Sequence, residues 1–330
     1  MMLEMSESEI KNISELTELL RGIFSSHQEK TRRLWFRGHS KKTYALQPHL
    51  VRIASENGTA TPEKIAHLEQ YALRRFKQLA PAVMGGKTVT QDGEWLFLMQ
   101  HYELPTRLLD WSESPLVALY FAVRSSTKRV DAARSEDEDG DLWVLDPIAL
   151  NMLMLSESDE ARALIDLANE SDELVKPLVP EGFSKSGKHN VVALIAQRSD
   201  PRIIAQQGVF TLHGKPQTLD GEIIEICITK KIKEIESKRA RERDDADEDD
   251  GGRTVDEVLS EREREDINEE CERVKNEMLW RIRIPTSAKE SIAEELAMLG
   301  IHQASVFPEL RTVAKFVKNE VVERAKSYGS

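Results

Sequence analysis

The sequence predicts a mixed α+β (mixed α/β) fold, in which a small, partly antiparallel sheet surrounds one cleft and helices cover its outer faces. Apolar residues recur at helical spacing in several long segments, beginning with residues 6–25. Shorter apolar runs, such as residues 208–212, have the length and composition of strands. Polar and charged groups directly follow or interrupt some of these runs, which predicts that they gather at one cleft.

The predicted helices start at residues that commonly cap helices. Ser6 opens the first, and Thr61 precedes a segment with proline at its first position. Ser114 and Pro115 open a segment that is apolar nearly all round, which indicates a buried helix. Gly300 closes the last helix. In chain order, the predicted helices cover residues 6–25, 62–80, 93–102, 115–123 and 287–299.

The predicted strands are short apolar or alternating runs. The first, Leu34-Trp35-Phe36, ends at Arg37-Gly38, so Arg37 is expected to project from a strand end. The run from Gly221 to Ile228 alternates well enough to predict a half-buried strand. In chain order, the predicted strands cover residues 34–36, 141–145, 208–212, 221–228 and 282–285.

Four regions follow from this pattern. Residues 1–30 are predicted to be an N-terminal helix packed on the core, and residues 31–233 the core itself. Residues 234–273 carry dense charge and are predicted to be a mobile insertion, because such a tract buries little apolar surface. Residues 274–330 are predicted to complete the domain with a strand and helices.

Composition narrows the classes of function. The 330 residues carry a formal net charge of −12, which argues against broad adhesion to nucleic acid or to an anionic membrane. Two cysteines, Cys227 and Cys271, form no CxxC pair, as is typical of a reduced cytosolic protein. No signal peptide and no membrane-spanning run is recognisable, so a cytoplasmic location without membrane contact is expected.

Arg37 is the first candidate for a binding site. A guanidinium at a strand end, followed by Gly38, which lets the backbone turn and a ligand approach, is suited to binding an anion or phosphate. The alternative is a structural arginine that pairs with a core carboxylate such as Asp110.

The segment from Thr106 to Pro115 is the second candidate. It combines Arg107, Asp110 and two serines immediately before the predicted buried helix, whose N-terminal amides favour an anion. Ser114 is more typical of a helix cap than of a catalytic hydroxyl. Asp110 is interpreted as orienting Arg37 or Arg107, and His101 as a candidate acid or base, although spacing alone establishes no catalytic triad.

Other site motifs are missing from the sequence. The eight histidines include no HExxH, so no metal is predicted. Neither GxGxxG nor GxxxxGK[ST] occurs, which disfavours a Rossmann dehydrogenase and a P-loop nucleotidase.

Two motifs resemble those of a known family. The runs Leu34-Trp35-Phe36-Arg37-Gly38-His39-Ser40 and Gln100 to Pro115 resemble the signatures of the bacterial FRG-domain family, named for its Phe-Arg-Gly tripeptide. Two later runs resemble further landmarks of that family: Gln206-Gln207-Gly208-Val209-Phe210-Thr211 and Val306-Phe307-Pro308-Glu309-Leu310.

The same landmarks are more distantly similar to arginine-serine-glutamate ADP-ribosyltransferases. That resemblance implies an ADP-ribosyltransferase-like fold and NAD as cofactor, with Arg37 on an NAD phosphate and Ser112 or Ser114 at the nicotinamide ribose. His39 would supplement the pocket. The expected Glu-x-Glu is replaced by Gln206-Gln207, and Glu222 and Glu225 are the substitutes that the sequence offers.

The activity that the resemblance implies is transfer of ADP-ribose to a protein or nucleic acid, or hydrolysis of NAD, as in a toxin or phage-defence effector. A second hypothesis is a noncatalytic module that binds a nucleotide or a nucleic-acid end, since glutamine cannot act as a base. A metal-dependent nuclease using Asp110 and His101 ranks last, because it would need clustered carboxylates.

Overall fold

A computed structural model describes residues 8–25, 33–85, 88–124, 138–155, 164–167, 178–179, 190–196, 200–244 and 259–327. These residues form a mixed α+β fold, with an open eight-stranded sheet flanked by helices, so the predicted fold class is confirmed.

The sheet is larger than the small sheet predicted. Its strands run in the order β1-β8-β4-β2-β3-β7-β6-β5, and all neighbours are antiparallel except the two outermost pairs, β1 with β8 and β5 with β6. The strands are β1 (Ser8–Glu9), β2 (Trp35–His39), β3 (Leu108–Ser112), β4 (Gly140–Leu145), β5 (Ile165–Asp166), β6 (Val192–Ile195), β7 (Gly208–Leu212) and β8 (Leu279–Ile284). The two strands that carry the main signatures, β2 and β3, therefore lie at the centre.

Helices cover both faces of this sheet. They are α1 (Ile13–Ser25), α2 (His49–Glu56), α3 (Pro62–Leu79), α4 (Asp92–His101), α5 (Pro115–Val123), α6 (Pro147–Met154), α7 (Pro201–Gln206), α8 (Leu219–Asp244), α9 (Glu261–Asn276), α10 (Lys289–Met298), α11 (Gln303–Val306) and α12 (Leu310–Ser327). Short 3₁₀ turns follow α3 at Ala80–Val83 and precede α10 at Thr286–Ala288. In the part of the chain that the structure describes, none of the helices is long and apolar enough to cross a membrane.

The alternation of side chains along the strands builds a core on each face. On one face, Phe36 packs in a cluster with residues of α1, α5 and α10. On the other, Trp35 and Trp111 pack in a cluster with residues of α6 and α8. Helix α5 begins as predicted, with the Ser114 hydroxyl accepting the Val117 N–H at 3.3 Å and Pro115 in the first turn.

The predicted strand at residues 221–228 is wrong, because this segment is the beginning of α8. Ile223 and Cys227 are both buried, and residues four apart lie on one face of a helix as readily as on one face of a strand. The Thr218 hydroxyl accepts the Gly221 N–H at 3.4 Å, which helps to start the helix. The alternation of apolar and polar residues over these eight positions is too short to distinguish the helical period of 3.6 from the strand period of 2.

The predicted N-terminal helix also differs in its bounds. Ser6 lies outside the described residues, and the helix begins at Ile13, where the Asn12 side chain accepts the Glu15 N–H at 2.8 Å. Ser8 and Glu9 instead extend the sheet along β8. Leu16, Leu20 and Ile23 form the buried face of α1.

Much of the tract predicted to be a mobile insertion is helical. Residues 234–244 continue α8, and residues 261–273 belong to α9, while residues 245–258 lie outside the described part. A narrow apolar stripe that includes Ile267 and Cys271 packs α9 on α8. Lys231 on α8 and Glu270 on α9 form an ion pair at 2.9 Å. The many charged residues of this tract obscured the few apolar residues at helical spacing, and the helices were therefore not predicted from the sequence.

Candidate functional site

A cleft opens where β2 and β3 separate. The two strands pair only at Phe36 and Ser112, so beyond that point no ladder joins them. The Arg37 side chain crosses this gap, and its Nη1 donates to the Asp110 carbonyl oxygen at 2.6 Å. The divergence of the two strands therefore brings the guanidinium of one signature against the backbone of the other.

The cleft has a volume of about 440 Å³ and a mixed lining. Arg37, Arg52 and Arg202 supply three positive charges, from β2, α2 and α7. Its apolar wall includes four phenylalanines: Phe36, Phe97, Phe121 and Phe210. Guanidinium groups beside aromatic walls suit a ligand that has both an anionic and an apolar part.

Part of the hydrogen-bonding capacity of Arg37 is unused within the described residues. Its Nε donates to Nε2 of His39 at 2.9 Å, and Nη1 donates to Asp110. Within the described residues, Nη2 has no hydrogen-bond partner. Burial lowers the pKa of Arg37 and the nearby Arg52 lowers it further, whereas Asp110 raises it. Two positive charges held close together favour an anion between them.

Two buried histidines flank Arg37 and stay neutral. Burial, followed by the charge of Arg37, lowers the pKa of His39 to about 3 and that of His213 to about 3. His39 accepts the Arg37 Nε–H, which requires an unprotonated Nε2. His39 therefore orients the Arg37 guanidinium, and His39 itself is not among the residues that line the cleft. The sequence predicted instead that His39 would supplement the pocket.

Asp110 is the exposed carboxylate beside Arg37, and a chain of hydrogen bonds fixes it. The Leu108 N–H donates to the Thr106 hydroxyl at 3.1 Å, so this hydroxyl directs its own proton to Oε1 of Gln100, 2.5 Å away. The Gln100 amide is thereby oriented with Nε2 towards Asp110, whose Oδ2 accepts at 2.8 Å. Thr106 thus acts on the cleft through Gln100.

Arg107, a predicted ligand-site residue, is buried in this fold and is not among the residues that line the cleft. It is 1% exposed, and its Nε donates to Oε2 of Glu69 at 2.6 Å. Its Nη1 and Nη2 donate to the backbone oxygens of His213 and Leu178 at 3.4 and 2.8 Å. Glu69 also accepts the Arg107 N–H, at 3.1 Å. The guanidinium therefore ties α3 to the loop before β3.

Gly38 lines the cleft, but its small size serves packing as well. A Cβ at this position would overlap with the Ala118 carbonyl oxygen and the Ala122 nitrogen of α5. The close approach of α5 to β2 therefore requires glycine, a reason other than the ligand approach predicted from the sequence.

Both candidate serines have structural partners. The Ser112 hydroxyl donates to the Gln206 carbonyl oxygen at 2.7 Å and accepts the Ser114 N–H at 2.9 Å. Ser114 caps α5, as its residue type predicted. Ser112 lines the cleft wall, yet its hydroxyl is already engaged on both sides.

The two glutamines before β7 differ in position. Gln206 lines the cleft, and its Nε2 donates to the Val306 carbonyl oxygen at 3.2 Å. Gln207 has φ +47° and ends α7, with its carbonyl oxygen accepting the Glu113 N–H at 3.0 Å. Gln207 is therefore a turn residue, and only Gln206 stays near the candidate ligand.

Glu222 and Glu225 lie in α8, away from the residues that line the cleft. Glu222 accepts the Val191 N–H at 2.7 Å, and burial raises its pKa to about 8. Glu225 forms an ion pair with Lys215 at 3.0 Å. The strand that was predicted to carry Glu222 is a helix, and this helix does not place Glu222 among the residues that line the cleft.

His101 does line the cleft, and so does Arg202, which the sequence did not single out. Nδ1 of His101 is 3.3 Å from Oδ1 of Asp200, and the His101 carbonyl oxygen accepts from Nη1 of Arg202 at 3.3 Å. Arg52, also missed, lies on α2. Arg52 and Arg202 reach Arg37 only through tertiary packing, so no local motif in the sequence indicates them. Gln100, in contrast, is part of the second signature.

The described residues contain no group of three or more histidine, cysteine or acidic side chains arranged to hold a metal ion. The two cysteines are free and buried between α8 and α9.

The fold and the site define a mixed α+β protein with an arginine-lined cleft at the centre of an open sheet. Residues 32–131, which supply β2, β3 and α2 to α5, match the FRG domain family. The chain therefore contains an FRG domain at residues 32–131. Comparison with curated proteins and with solved structures found no match.

Proposed function

We propose that the cleft binds NAD or a related nucleotide and that the protein transfers ADP-ribose to a macromolecular target. The observation that carries this proposal is the convergence of Arg37, Arg52 and Arg202 on one aromatic-walled cleft. A phosphate supplies the anion that the arginines favour, and a base supplies the flat apolar surface that the phenylalanines complement.

Arg37 is the proposed phosphate ligand. Nε and Nη1 already have partners, whereas Nη2 has none among the described residues and offers its N–H groups to a phosphate oxygen. A charge-assisted hydrogen bond of this kind contributes about 1.5–3 kcal/mol. Arg52 adds charge without geometric restraint, because its side chain is exposed.

Asp110 is the proposed carboxylate of the reaction. Breaking the bond between the ribose C1′ and the nicotinamide nitrogen leaves positive charge on the ribose, which a fixed carboxylate stabilises. The Thr106–Gln100 chain holds Asp110 ready for this role. The acceptor atom of the target then bonds to C1′ and loses its proton. Glu103, the other acidic residue of the lining, has an 81% exposed side chain and is less suited to it.

A labelled-NAD assay tests the proposal. The purified protein is incubated with NAD carrying label in its ADP-ribose part and with a lysate, and label transfer and free nicotinamide are both followed. Transfer that falls at least 100-fold in Asp110→Asn, with NAD affinity retained, would support the assignment. Nicotinamide release without transfer would identify an NAD hydrolase at the same site.

A noncatalytic nucleotide-binding module is the second candidate function. It is favoured by Gln206, an amide that stands before β7 where the resemblance implies a glutamate, and by the position of Glu222 away from the cleft. In that case the protein would bind NAD with an Arg37-dependent affinity and release no nicotinamide. Such a module fits recognition of a nucleotide signal or of a nucleic-acid end.

A further inference from the structure

Phe307, far along the chain from the matched FRG segment, lies against the cleft wall. Its ring is contacted by the Arg202 guanidinium, 4.9 Å from the ring centroid, and by that of Arg124 at 5.3 Å. Phe121, which lines the cleft, meets the same ring edge-on at 5.8 Å. One aromatic side chain therefore touches both a charged and an apolar component of the cleft.

An aromatic partner holds an arginine differently from a carboxylate. A ring contacts the face of the guanidinium, whereas a carboxylate would occupy the N–H groups at its edge and neutralise its charge. Among the described residues, Nε and Nη2 of Arg202 have no hydrogen-bond partner, and Nη1 donates to the His101 carbonyl oxygen. The nearby Glu103 is 3.8 Å away and exposed, so it screens little of the charge.

A second contact keeps Phe307 beside α7, the helix that carries Arg202. Gln206 at the end of α7 donates to the Val306 carbonyl oxygen at 3.2 Å, immediately before Phe307. Val306 itself is 1% exposed. The placement of the ring is thus fixed by the backbone of α11.

We infer that Phe307 is a positioning residue of the cleft, which holds Arg202 with its charge and donors available for an anionic group of the ligand. This inference rests on the proposed nucleotide site and extends it beyond residues 32–131: α7 contributes Arg202 to the cleft lining, and Phe307, the residue after α11, supports Arg202 from outside that lining. The ligand is accordingly contacted by anion-binding groups on two sides, Arg37 on the sheet and Arg202 on α7.

A double-mutant cycle tests this role with NAD as the probe. Phe307→Leu keeps an apolar side chain against Phe121 but removes the ring, and should weaken NAD binding roughly 3- to 30-fold, the range that cation–π contacts span from exposed to desolvated sites. Phe307→Tyr should restore binding to within twofold of wild type. In an Arg202→Gln background, Phe307→Leu should have no further effect, because its role acts through Arg202.

Phe316→Leu is the matched control. This ring stacks on His302 at 4.3 Å and is not among the described residues that line the cleft, so its replacement should leave NAD affinity unchanged. Wild-type affinity in Phe307→Leu, or an equal loss with and without Arg202, would overturn the inference while leaving the nucleotide site intact. Absence of NAD binding by the wild-type protein would overturn the proposed function and this inference with it.

Discussion

Arg37 and Arg107 come from the two signatures of the same domain and reach opposite environments. Arg107 is buried, makes hydrogen bonds through all its guanidinium nitrogens and faces Glu69. Arg37 crosses the gap between β2 and β3, and its Nη2 has no hydrogen-bond partner within the described part of the chain. The role of an arginine in a signature therefore becomes clear only when its partners are known: Arg107 stabilises the fold, whereas Arg37 faces the cleft.

The largest expected effect concerns Arg107. Arg107→Leu should lower the free energy of unfolding by about 3–5 kcal/mol, because it leaves the Glu69 carboxylate buried without its cation. Urea denaturation followed by circular dichroism measures this loss. The double variant Glu69→Leu/Arg107→Leu should recover part of it, since no charge is then left buried. A loss below about 1 kcal/mol in the single variant would remove the distinction between the two arginines.

The histidines around Arg37 predict a dependence of stability on acid. His39 and His213 have pKa values of about 3 in the folded protein, below the ordinary value of 6.5, so the unfolded chain binds more protons between these limits. The stability that depends on these two neutral histidines is therefore present above pH 6.5 and is lost as the pH drops towards 3.

Denaturation at several pH values measures that slope. Each histidine contributes at most about 1.4 kcal/mol per pH unit, and His39→Gln should remove one contribution. Arg37→Ala should raise the pKa of both histidines towards 6.5, which NMR titration can follow, and should therefore reduce the total free energy of unfolding that is lost on acidification. An unchanged slope in His39→Gln would show that this ring does not titrate as described.

The smallest expected effect distinguishes a structural serine from a ligand contact. Ser112→Ala removes the hydrogen bonds to Gln206 and Ser114, and should lower the free energy of unfolding by about 1 kcal/mol while NAD affinity changes less than threefold. Chemical denaturation and NAD titration provide the two readouts. A stable variant that no longer binds NAD would instead place the hydroxyl on the ligand, as the resemblance to ADP-ribosyltransferases implies.

The sequence predicted what local chemistry determines. The mixed fold, the cap at Ser114 and the position of Arg37 on a strand beside a cleft all follow from spacing and residue type. Contacts between residues far apart in the chain could not be predicted from the sequence. Glu69 lies 38 residues before Arg107, and Arg202 joins the cleft only through the packing of α7. The secondary structure predicted for the segment around Glu222 was wrong for another reason, because its apolar pattern fits a short strand and a helix equally well.

The most direct test of the account is a calorimetric titration of NAD into the wild-type protein and Arg37→Ala, with Arg33→Ala as control. Arg33 lies two residues before the start of β2, its side chain is 75% exposed and it does not line the cleft, so its loss removes one positive charge without altering the cleft. Arg37→Ala should weaken NAD binding about 100-fold, through the loss of a charge-assisted hydrogen bond, while Arg33→Ala should bind NAD like wild type. Equal affinity in a folded Arg37→Ala variant, or no binding by the wild-type protein, would contradict the assignment of the cleft as a nucleotide site.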